Sequence, residues 1–223
     1  MQATAPSNIP LNGELKGYGE DYFLRGEEKG LSLYTNYRWL PDLTIPMAKA
    51  IASHLGIKPG ATILDFGCAR GYLVRAFREL GYSAFGFDTS RWAIDNCDPS
   101  VSRFVTDDDR EVAEYDWVIA KDVLEHVEEI GLSALLCKLL GIVNCGMFIV
   151  VPLSEEEDKP YVVPQYEMDI THRVRLPLNL WEEYVRCAAD PNWDIRAVYR
   201  VPGVKDNYYE EFPKGNGFIT ALR

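Results

Sequence analysis

The sequence predicts a three-layer α/β fold, in which helices cover both faces of a mostly parallel sheet and an antiparallel strand lies at its C-terminal edge. The first observation is an alternation of short apolar runs with helical patterns between residues 62 and 151. Strands joined through helices pair in parallel, by right-handed crossovers. The second observation is a pair of β-like segments after residue 193 with no helical pattern between them, which is typical of antiparallel strands.

The elements follow one another regularly along the chain. Apolar residues three and four positions apart predict a helix over 45–55, which Gly56 and Pro59 end. The next expected strands are 62–64, 84–87, 102–105, 117–120 and 147–151, with helices at 71–80, 91–96 and 132–140. A loop rich in Pro and Glu covers 152–177, and a helix at 178–189 precedes strands at 194–201 and 217–222. One domain is therefore expected at 42–223, after an N-terminal arm at 1–41.

The composition restricts the class of partner. The formal net charge is -11 and the sequence pI is about 4.8, so a polyanion would be repelled, and we expect no nucleic-acid partner. No apolar run approaches the ~20 residues that span a bilayer, and residues 1–10 do not resemble a signal peptide. The five cysteines form no CxxC pair, which favours a cytoplasmic protein. No spacing of His, Cys and carboxylates predicts a metal site.

The segment from Ile63 to Leu73 carries the clearest functional signal. It reads Ile-Leu-Asp-Phe-Gly-Cys-Ala-Arg-Gly-Tyr-Leu, a buried strand that runs into a turn of small residues and then into a helix. Glycine lets a ligand approach the backbone closely, and a helix N-terminus offers unpaired N–H donors. Since ligands of open α/β sheets bind at the carboxyl ends of strands, we expect a cofactor site here. The alternative is that Gly67 and Gly71 serve only the turn itself.

Two features distinguish this turn from a dinucleotide-binding site. When Gly67 is aligned with the first glycine of GxGxxG, Ala69 takes the second position and Tyr72 the third, where a tyrosine would obstruct the packing of helix on strand. Asp65 would repel a pyrophosphate, but it would suit the ammonium of an amino acid or its water shell. The residues therefore favour a nucleoside with a cationic amino-acid tail, S-adenosylmethionine, over NAD.

The stretch from Asp65 to Gly71 resembles the glycine-rich first motif of the class I S-adenosylmethionine-dependent methyltransferases. The resemblance implies a Rossmann-like fold over residues 60–151 and methyl transfer from S-adenosylmethionine, with S-adenosylhomocysteine as product. It also implies that Asp88, at the end of Phe-Gly-Phe-Asp, accepts hydrogen bonds from the ribose hydroxyls, since a carboxylate can accept two from a vicinal diol. The alternative for Asp88 is an exposed acid at the end of a strand.

Further positions follow from the same resemblance. Asp107 or Asp108, after the third strand, would lie near the adenine amino group. The segment from Asp116 to Val127 resembles the family's fourth strand, of which the ending Asp-Val-Leu-Glu-His is the specific part. The residues that would bind the cofactor are Asp65, Gly67, Cys68, Ala69, Gly71, Asp88, Thr89, Asp107, Asp108, Lys121, Asp122 and Val123.

Two histidines are candidate general bases, because an imidazole titrates near neutrality. His126 ends the fourth-strand motif and either bonds the loop or moves a proton near the acceptor. His172 belongs to Asp-Ile-Thr-His-Arg, and related methyltransferases carry a similar segment in the loop over the active site. We favour His172, because a covering loop meets the acceptor, whereas the end of the fourth strand mainly meets the donor. A hydrogen-bonded network of Thr171 and His172 before the next helix is the alternative.

The aromatic residues of the arm allow two interpretations. They either pack against the sheet or form a lid, in which aromatic faces stabilise the sulfonium and exclude water. Tyr18, Tyr22 and Tyr37 are the candidates for a lid.

The expected reaction is an in-line displacement from S-adenosylmethionine to an oxygen or nitrogen of a small-molecule or glycan acceptor. The protein then mainly supplies alignment and a dry site. A methyltransferase that acts on protein or nucleic acid, a protein that binds a nucleotide without transfer and an NAD-dependent oxidoreductase remain as alternatives. No residue indicates the identity of the acceptor or the oligomeric state.

Overall fold

Within residues 17–223, which are those that the structure describes, seven strands form one sheet. The structure is a computed structural model, and residues 1–16 of the expected arm lie outside its described part. The strands are β1 Thr62–Phe66, β2 Ser83–Phe87, β3 Val105–Thr106, β4 Tyr115–Lys121, β5 Val143–Pro152, β6 Asp194–Val198 and β7 Asn216–Leu222. Their order across the sheet is β3-β2-β1-β4-β5-β7-β6.

The α-helices of the described residues are α1 Glu20–Leu24, α2 Gly26–Lys29, α3 Pro41–Leu55, α4 Tyr72–Glu79, α5 Arg91–Asp95, α6 Glu129–Gly141, α7 Leu178–Ala188 and α8 Asp206–Tyr209. Shorter 3-10 helices lie at Asp109–Glu111, Leu124–His126 and Pro164–Met168. Helices α1, α2 and α8 were not predicted, since a helix of one turn is too short to show a period. None of the helices described is long and apolar enough to cross a membrane.

The pairing of the strands confirms the predicted sheet. Strands β1 to β5 pair in parallel. Strand β7 is antiparallel to both of its neighbours, β5 and β6. Its antiparallel pairing with β6 is expected, because no helix long enough to cross the sheet separates these two strands in the chain. Strand β7 therefore lies inside the C-terminal part of the sheet, and β6 forms its edge.

Helices cover both faces of the sheet. Helices α3 and α4 pack on one face, where Phe77 is fully buried, and α6 and α7 pack on the other face around Trp181. In β1, Ile63 belongs to the first of these cores and Leu64 to the second. Because both faces are buried, the central strands are continuous apolar runs and do not alternate with polar residues.

Two element boundaries differ from the predicted ones for local reasons. Helix α3 begins at Pro41 rather than at residue 45, because proline suits the first position of a helix, where its missing N–H would have no partner. Strand β3 is shorter than the predicted 102–105. The N–H of Phe104 donates to the carbonyl of Val101 at 2.8 Å, and this turn removes residues before Val105 from the sheet.

The connections of the sheet create a cleft. Strand β1 pairs with β2 on one side and with β4 on the other. The chain therefore adds β2 and β3 on one side of β1 and then crosses back to add β4 and β5 on the other side. Ligands of open α/β sheets bind at such a switch point, outside the carboxyl ends of the strands.

Candidate active site

A cavity of about 320 Å³ opens at the carboxyl ends of β1, β2 and β4. The predicted site residues that line it are Gly67, Ala69, Asp88, Thr89, Asp122, Val123 and His126. The cavity is not lined by the remaining predicted residues, which are Asp65, Cys68, Gly71, Asp107, Asp108, Lys121 and His172. The tertiary structure thus brings the ends of three strands together around one space.

The turn after β1 needs glycine at residue 67. Gly67 has a φ of +81°, and an added Cβ would lie 2.5 Å from Cγ2 of Val123. Such a contact would push Val123, itself a lining residue, out of place. The N–H groups of Gly67 and Cys68 both donate to the carbonyl of Phe87, at 2.8 and 3.0 Å. These bonds fasten the turn to the end of β2, so the turn is a rigid part of the wall.

The carboxylate of Asp88 is anchored by the same turn. One of its oxygens accepts the N–H of Ala69 and the other accepts the N–H of Ser90, each at 2.7 Å. Burial raises the pKa of Asp88, and these two hydrogen bonds oppose the rise. Each carboxylate oxygen has more than one lone pair. Asp88 can therefore accept further hydrogen bonds from a ligand in the cavity that it lines.

Two of the residues that were predicted to bind the cofactor, Asp65 and Cys68, are buried next to the turn. Burial raises the pKa of Asp65 to about 7, although the charge of Lys121 opposes this rise. Burial likewise raises the pKa of the Cys68 thiol. The space above Gly86 is filled by Cys68, whose Sγ would lie 2.6 Å from an added Cβ there. Cys68 thus packs the turn against β2.

The acidic residues after β3 have partners outside the cavity. Asp107 pairs with Arg91 at 3.2 Å, and Asp108 pairs with Arg110 at 2.5 Å. The latter interaction lowers the pKa of Asp108 to about 2. Neither carboxylate reaches the cavity wall.

Asp122, just after β4, is held by two lysines. Lys121 approaches one of its oxygens and Lys205 the other, each at 2.5 Å. Asp122 has a φ of +55°, so its side chain leaves the strand in an unusual direction. Burial raises the pKa of Asp122, but the charges of Lys121 and Lys205 outweigh burial and keep it well below its usual range. Lys205 belongs to the loop between β6 and β7, and no motif in the sequence indicated it.

His126 lies on the cavity wall and is tied to the loop before α7. Its Nδ1 lies 2.8 Å from Oγ1 of Thr171. The ring of Tyr18 contacts the imidazole edge to face, with the centroids 5.7 Å apart. Burial lowers the pKa of His126, while the charges of Asp169 and Asp122 oppose that effect. The ring is therefore neutral at neutral pH.

His172 lies behind His126 and does not line the cavity. Its ring contacts that of His126 edge to face at 4.7 Å and that of Tyr161 at 5.2 Å. Burial and the neighbouring His126 lower the pKa of His172 to about 4. Within residues 17–223 its Nδ1 has no hydrogen-bond partner. Of the two histidines, His126 lines the cavity and His172 does not, although the sequence favoured His172 as the general base.

Glu125 adds a third polar side chain to this pair. Potential metal-ligand atoms of Glu125, His126 and His172 lie within 4.8 Å of one another, a proximity that their spacing along the chain did not reveal. Glu125 is buried, and burial together with the charge of Asp122 raises its pKa well above the usual range. Burial thus favours the protonated form of this carboxyl group.

The arm supplies an aromatic wall. Four of its side chains, Tyr18, Tyr22, Phe23 and Tyr34, line the cavity. Phe23 stacks on Trp92 with the ring centroids 5.5 Å apart, which fixes the wall to α5. Tyr37 packs behind them against Tyr34 and does not line the cavity. Of the three candidates for a lid, Tyr18 and Tyr22 therefore face the space.

Other lining residues were missed by the sequence analysis. Phe66 and Phe87, which end β1 and β2, form a stacked pair that lines the cavity. They directly precede Gly67 and Asp88 in the sequence, and this position could have identified them as lining residues. Helix α6 and the segment before it supply Val127, Glu128, Ile130, Gly131, Ala134, Leu135 and Lys138. No motif distinguishes these residues from an ordinary amphipathic helix.

Solved structures with the same fold include several methyltransferases. A SAM-dependent methyltransferase of Archaeoglobus fulgidus has a TM-score of 0.58 at 17% identity, over 79% of this chain and 92% of that chain. The magnesium protoporphyrin IX methyltransferase of Synechocystis, with bound SAM, has a TM-score of 0.55 at 16% identity, over 80% and 79% of the chains. Phosphoethanolamine N-methyltransferase 2 of Haemonchus contortus, in complex with S-adenosyl-L-methionine, has a TM-score of 0.56 at 16% identity, over 79% and 52%. A search of the curated proteins finds no match.

The fold and the switch-point cavity define a class I S-adenosylmethionine-dependent methyltransferase. A family model described as a methyltransferase domain matches residues 42–163, which is more than half of the chain. The chain belongs to this methyltransferase family.

Proposed function

We propose that the protein transfers the methyl group of S-adenosylmethionine to an oxygen or nitrogen of a small-molecule or glycan acceptor. The observation that carries this proposal is the cavity of about 320 Å³, which is walled by aromatic rings on one side and by His126 next to them. A space of this kind admits a small molecule or one end of a glycan. Two solved structures of the same fold are named for magnesium protoporphyrin IX and phosphoethanolamine, and the net charge of -11 disfavours nucleic acid.

The residues around the strand ends fit the donor. Asp88 has free lone pairs for the ribose hydroxyls, and the absent side chain of Gly67 lets Val123 pack against the turn as part of the cavity wall. Thr89 and Ala69 continue this wall, and Asp122 and Val123 lie where the methionine moiety is expected. The donor, when bound, supplies a methyl group that its sulfonium has already activated.

Asp65 and the aromatic wall complete the donor site in this proposal. Asp65 is buried and does not line the cavity, so in this proposal its carboxylate acts on the donor ammonium through the water shell and not by direct contact. The rings of Tyr18 and Tyr22 face the positive charge and exclude water. Lys121 acts indirectly in this proposal, through its ion pair with the lining residue Asp122, and Cys68 acts by packing the turn against β2. Asp107, Asp108 and Gly71 do not line the cavity.

His126 is the proposed general base for a hydroxyl acceptor. The acceptor oxygen forms a bond to the methyl carbon, the bond from that carbon to sulfur breaks with both electrons on sulfur, and the acceptor proton moves to Nε2 of His126. Burial lowers the pKa of His126, so the imidazole is unprotonated and ready to accept at neutral pH. His172 supports the His126 ring from behind. An amine acceptor needs mainly desolvation and alignment.

Parallel binding and transfer experiments test this function. Thermal unfolding with S-adenosylmethionine, S-adenosylhomocysteine and NAD is expected to show stabilisation by the first two only, worth about 2.7 kcal/mol at a concentration of about 100 Kd. Transfer of a labelled methyl group is then measured onto catechols, amines, sugars, a protein mixture and RNA. Labelling of small molecules supports the proposal, whereas stabilisation by NAD alone, or labelling of protein or RNA alone, contradicts it.

A further inference from the structure

We propose that Asp169 is a positioning residue, which fixes the tautomer of His126 through the hydroxyl of Thr171. The proposal rests on the assignment of His126 as the general base. In this arrangement Nδ1 of His126 carries the proton and Nε2 carries the lone pair that receives the proton of the acceptor. No residue in this chain of contacts other than His126 has to touch the acceptor.

Asp169 is buried and fully engaged by donors. Its Oδ1 accepts the backbone N–H of Thr171 at 2.9 Å and the Thr171 hydroxyl at 2.5 Å. Its Oδ2 accepts the hydroxyl of Tyr22 at 2.6 Å. Three donors around one carboxyl group suit its ionised form, which only accepts hydrogen bonds. Asp169 thus joins the loop before α7 to the aromatic wall.

The directions of the hydrogen bonds determine the tautomer. A hydroxyl has a single proton to donate, and Thr171 gives its proton to Asp169. Nδ1 of His126 lies 2.8 Å from the same hydroxyl oxygen, so Nδ1 must be the donor in that contact. A neutral imidazole has one N–H, and Nε2 is therefore left with its lone pair.

The opposite tautomer is disfavoured by the same contacts. It would require Thr171 to donate to Nδ1 of His126 and to give up its bond to the carboxylate of Asp169. A hydrogen bond to a charged acceptor is stronger than one to a neutral acceptor. The carboxylate also stabilises the imidazolium that forms when His126 takes a proton, since the charge of Asp169 raises the pKa of His126. The residue thus both orients the base and favours its protonated product.

Nitrogen NMR of the imidazole rings tests the proposal without any acceptor. The chain has three histidines, so a protein labelled with ¹⁵N-histidine gives a simple spectrum in which the two tautomers have distinct nitrogen shifts. His54, which contacts Thr220 at 3.2 Å, is an internal reference for an intact fold. We expect wild-type His126 to show only the Nδ1–H form at neutral pH.

Variants of the two residues separate positioning from general structure. Thr171→Val and Asp169→Leu are each expected to convert His126 to a mixture in which the Nε2–H form predominates. Thr171→Ser retains the hydroxyl and should restore the Nδ1–H form. Tyr22→Phe removes only the donor to Oδ2 and should leave the tautomer unchanged, so it serves as a matched control.

Two outcomes would overturn the proposal. One is an Nε2–H form in the wild-type protein, and the other is an unchanged Nδ1–H form in Thr171→Val with the His54 signals in place. If Asp169→Leu does not fold, the valine and serine variants still decide the question. Calorimetric titration with S-adenosylhomocysteine runs beside the NMR, so a failure of donor binding is recognised separately from a failure of the tautomer assignment.

Discussion

Asp88 illustrates how a single side chain is prepared for a ligand. The backbone N–H groups of Ala69 and Ser90 hold both carboxylate oxygens in place, so the side chain would lose little conformational freedom on binding the proposed ribose. A strand-end acid in the sequence indicates the residue type only. The two hydrogen bonds that aim it come from the turn after β1 and from the start of α5, and only the folded chain brings them together.

We expect Asp88→Ala to weaken the binding of S-adenosylmethionine by about 1–3 kcal/mol, because the ribose hydroxyls and two buried N–H groups lose their acceptor. Calorimetric titration of the folded variant measures the change. Asp95→Ala is the matched control, since Asp95 is an exposed acid on α5 that pairs with the exposed Arg91 and does not line the cavity. Equal affinity in wild type and Asp88→Ala would remove Asp88 from the donor site.

Asp65 predicts a pH dependence of donor binding. Burial raises the pKa of Asp65 to about 7. Between about pH 4 and pH 7 the folded protein therefore keeps a proton on this carboxyl group that the unfolded chain has lost. The contribution of Asp65 to the free energy of unfolding falls as the pH rises through that range. The donor ammonium favours the ionised carboxylate. Affinity should therefore fall as the pH falls below about 7, by up to about tenfold per pH unit. Titrations between about pH 5.5 and pH 7 measure it, and Asp65→Asn should flatten the profile.

At the scale of an element, the turn between β1 and α4 combines a left-handed backbone with close contacts. The left-handed backbone at Gly67, with a φ of +81°, explains why glycine is used there. Gly60 has nearly the same φ, +83°, so the backbone conformation alone does not distinguish the two positions. An added Cβ at Gly60 meets no atom within 4 Å, whereas one at Gly67 meets Val123. Only the contact with the end of β4 makes Gly67 specific to the cavity.

A pair of alanine variants separates these effects. Gly67→Ala and Gly60→Ala should each lose about 1–2 kcal/mol of stability from the left-handed backbone. Gly67→Ala should in addition weaken donor binding by about 1–3 kcal/mol, because its Cβ displaces Val123 from the wall. Urea unfolding and calorimetric titration measure the two quantities. Similar donor affinities in the two variants would show that the turn is not part of the donor site.

At the scale of the whole molecule, the site is assembled from segments far apart in the chain. The arm supplies the aromatic wall, the strand ends supply Asp88 and Asp122, and the loop before α7 supplies Thr171. Lys205 reaches Asp122 from the loop between β6 and β7. The aromatic residues of the arm pack among themselves and also line the cavity, so packing and the proposed lid use the same rings.

Phe23→Leu tests whether the arm is part of the donor site. The change removes the stacking on Trp92 and should lower stability by about 1–2 kcal/mol. It should also weaken the binding of S-adenosylhomocysteine, since the wall loses its attachment to α5. Phe77→Leu removes a buried ring from the core around α3 and α4, which does not line the cavity, and should lower stability without affecting that binding. Urea unfolding measures the stability of both variants, and calorimetric titration measures their binding of S-adenosylhomocysteine. Weaker binding in Phe23→Leu alone supports a lid, whereas unchanged binding in both variants indicates that the arm only packs against the domain.

The class of fold and the donor motif follow from local patterns. A strand buried on both faces must be a continuous apolar run, and the turn after β1 must use residues that tolerate a left-handed backbone, so both features are visible in consecutive residues. The antiparallel β6 and β7 were recognised for the same reason, since their connection carries no crossover pattern. The start of β3 was predicted too early, because a local turn from Val101 to Phe104 holds the residues before Val105 outside the strand.

The geometry of the candidate site was decided by tertiary structure alone. His126 and His172 are chemically equivalent in sequence, and only the packing of the loop before α7 puts His126 on the cavity wall and His172 behind it. The contacts of Asp169 with Tyr22, and of Lys205 with Asp122, join residues far apart in the chain. Such contacts depend on how segments that are distant in the chain pack against each other. Neither hydrophobic periodicity nor the spacing of a motif predicts that packing. The sequence by itself therefore determined the class of fold and the donor, and the tertiary structure selected the side chains that meet in the cavity.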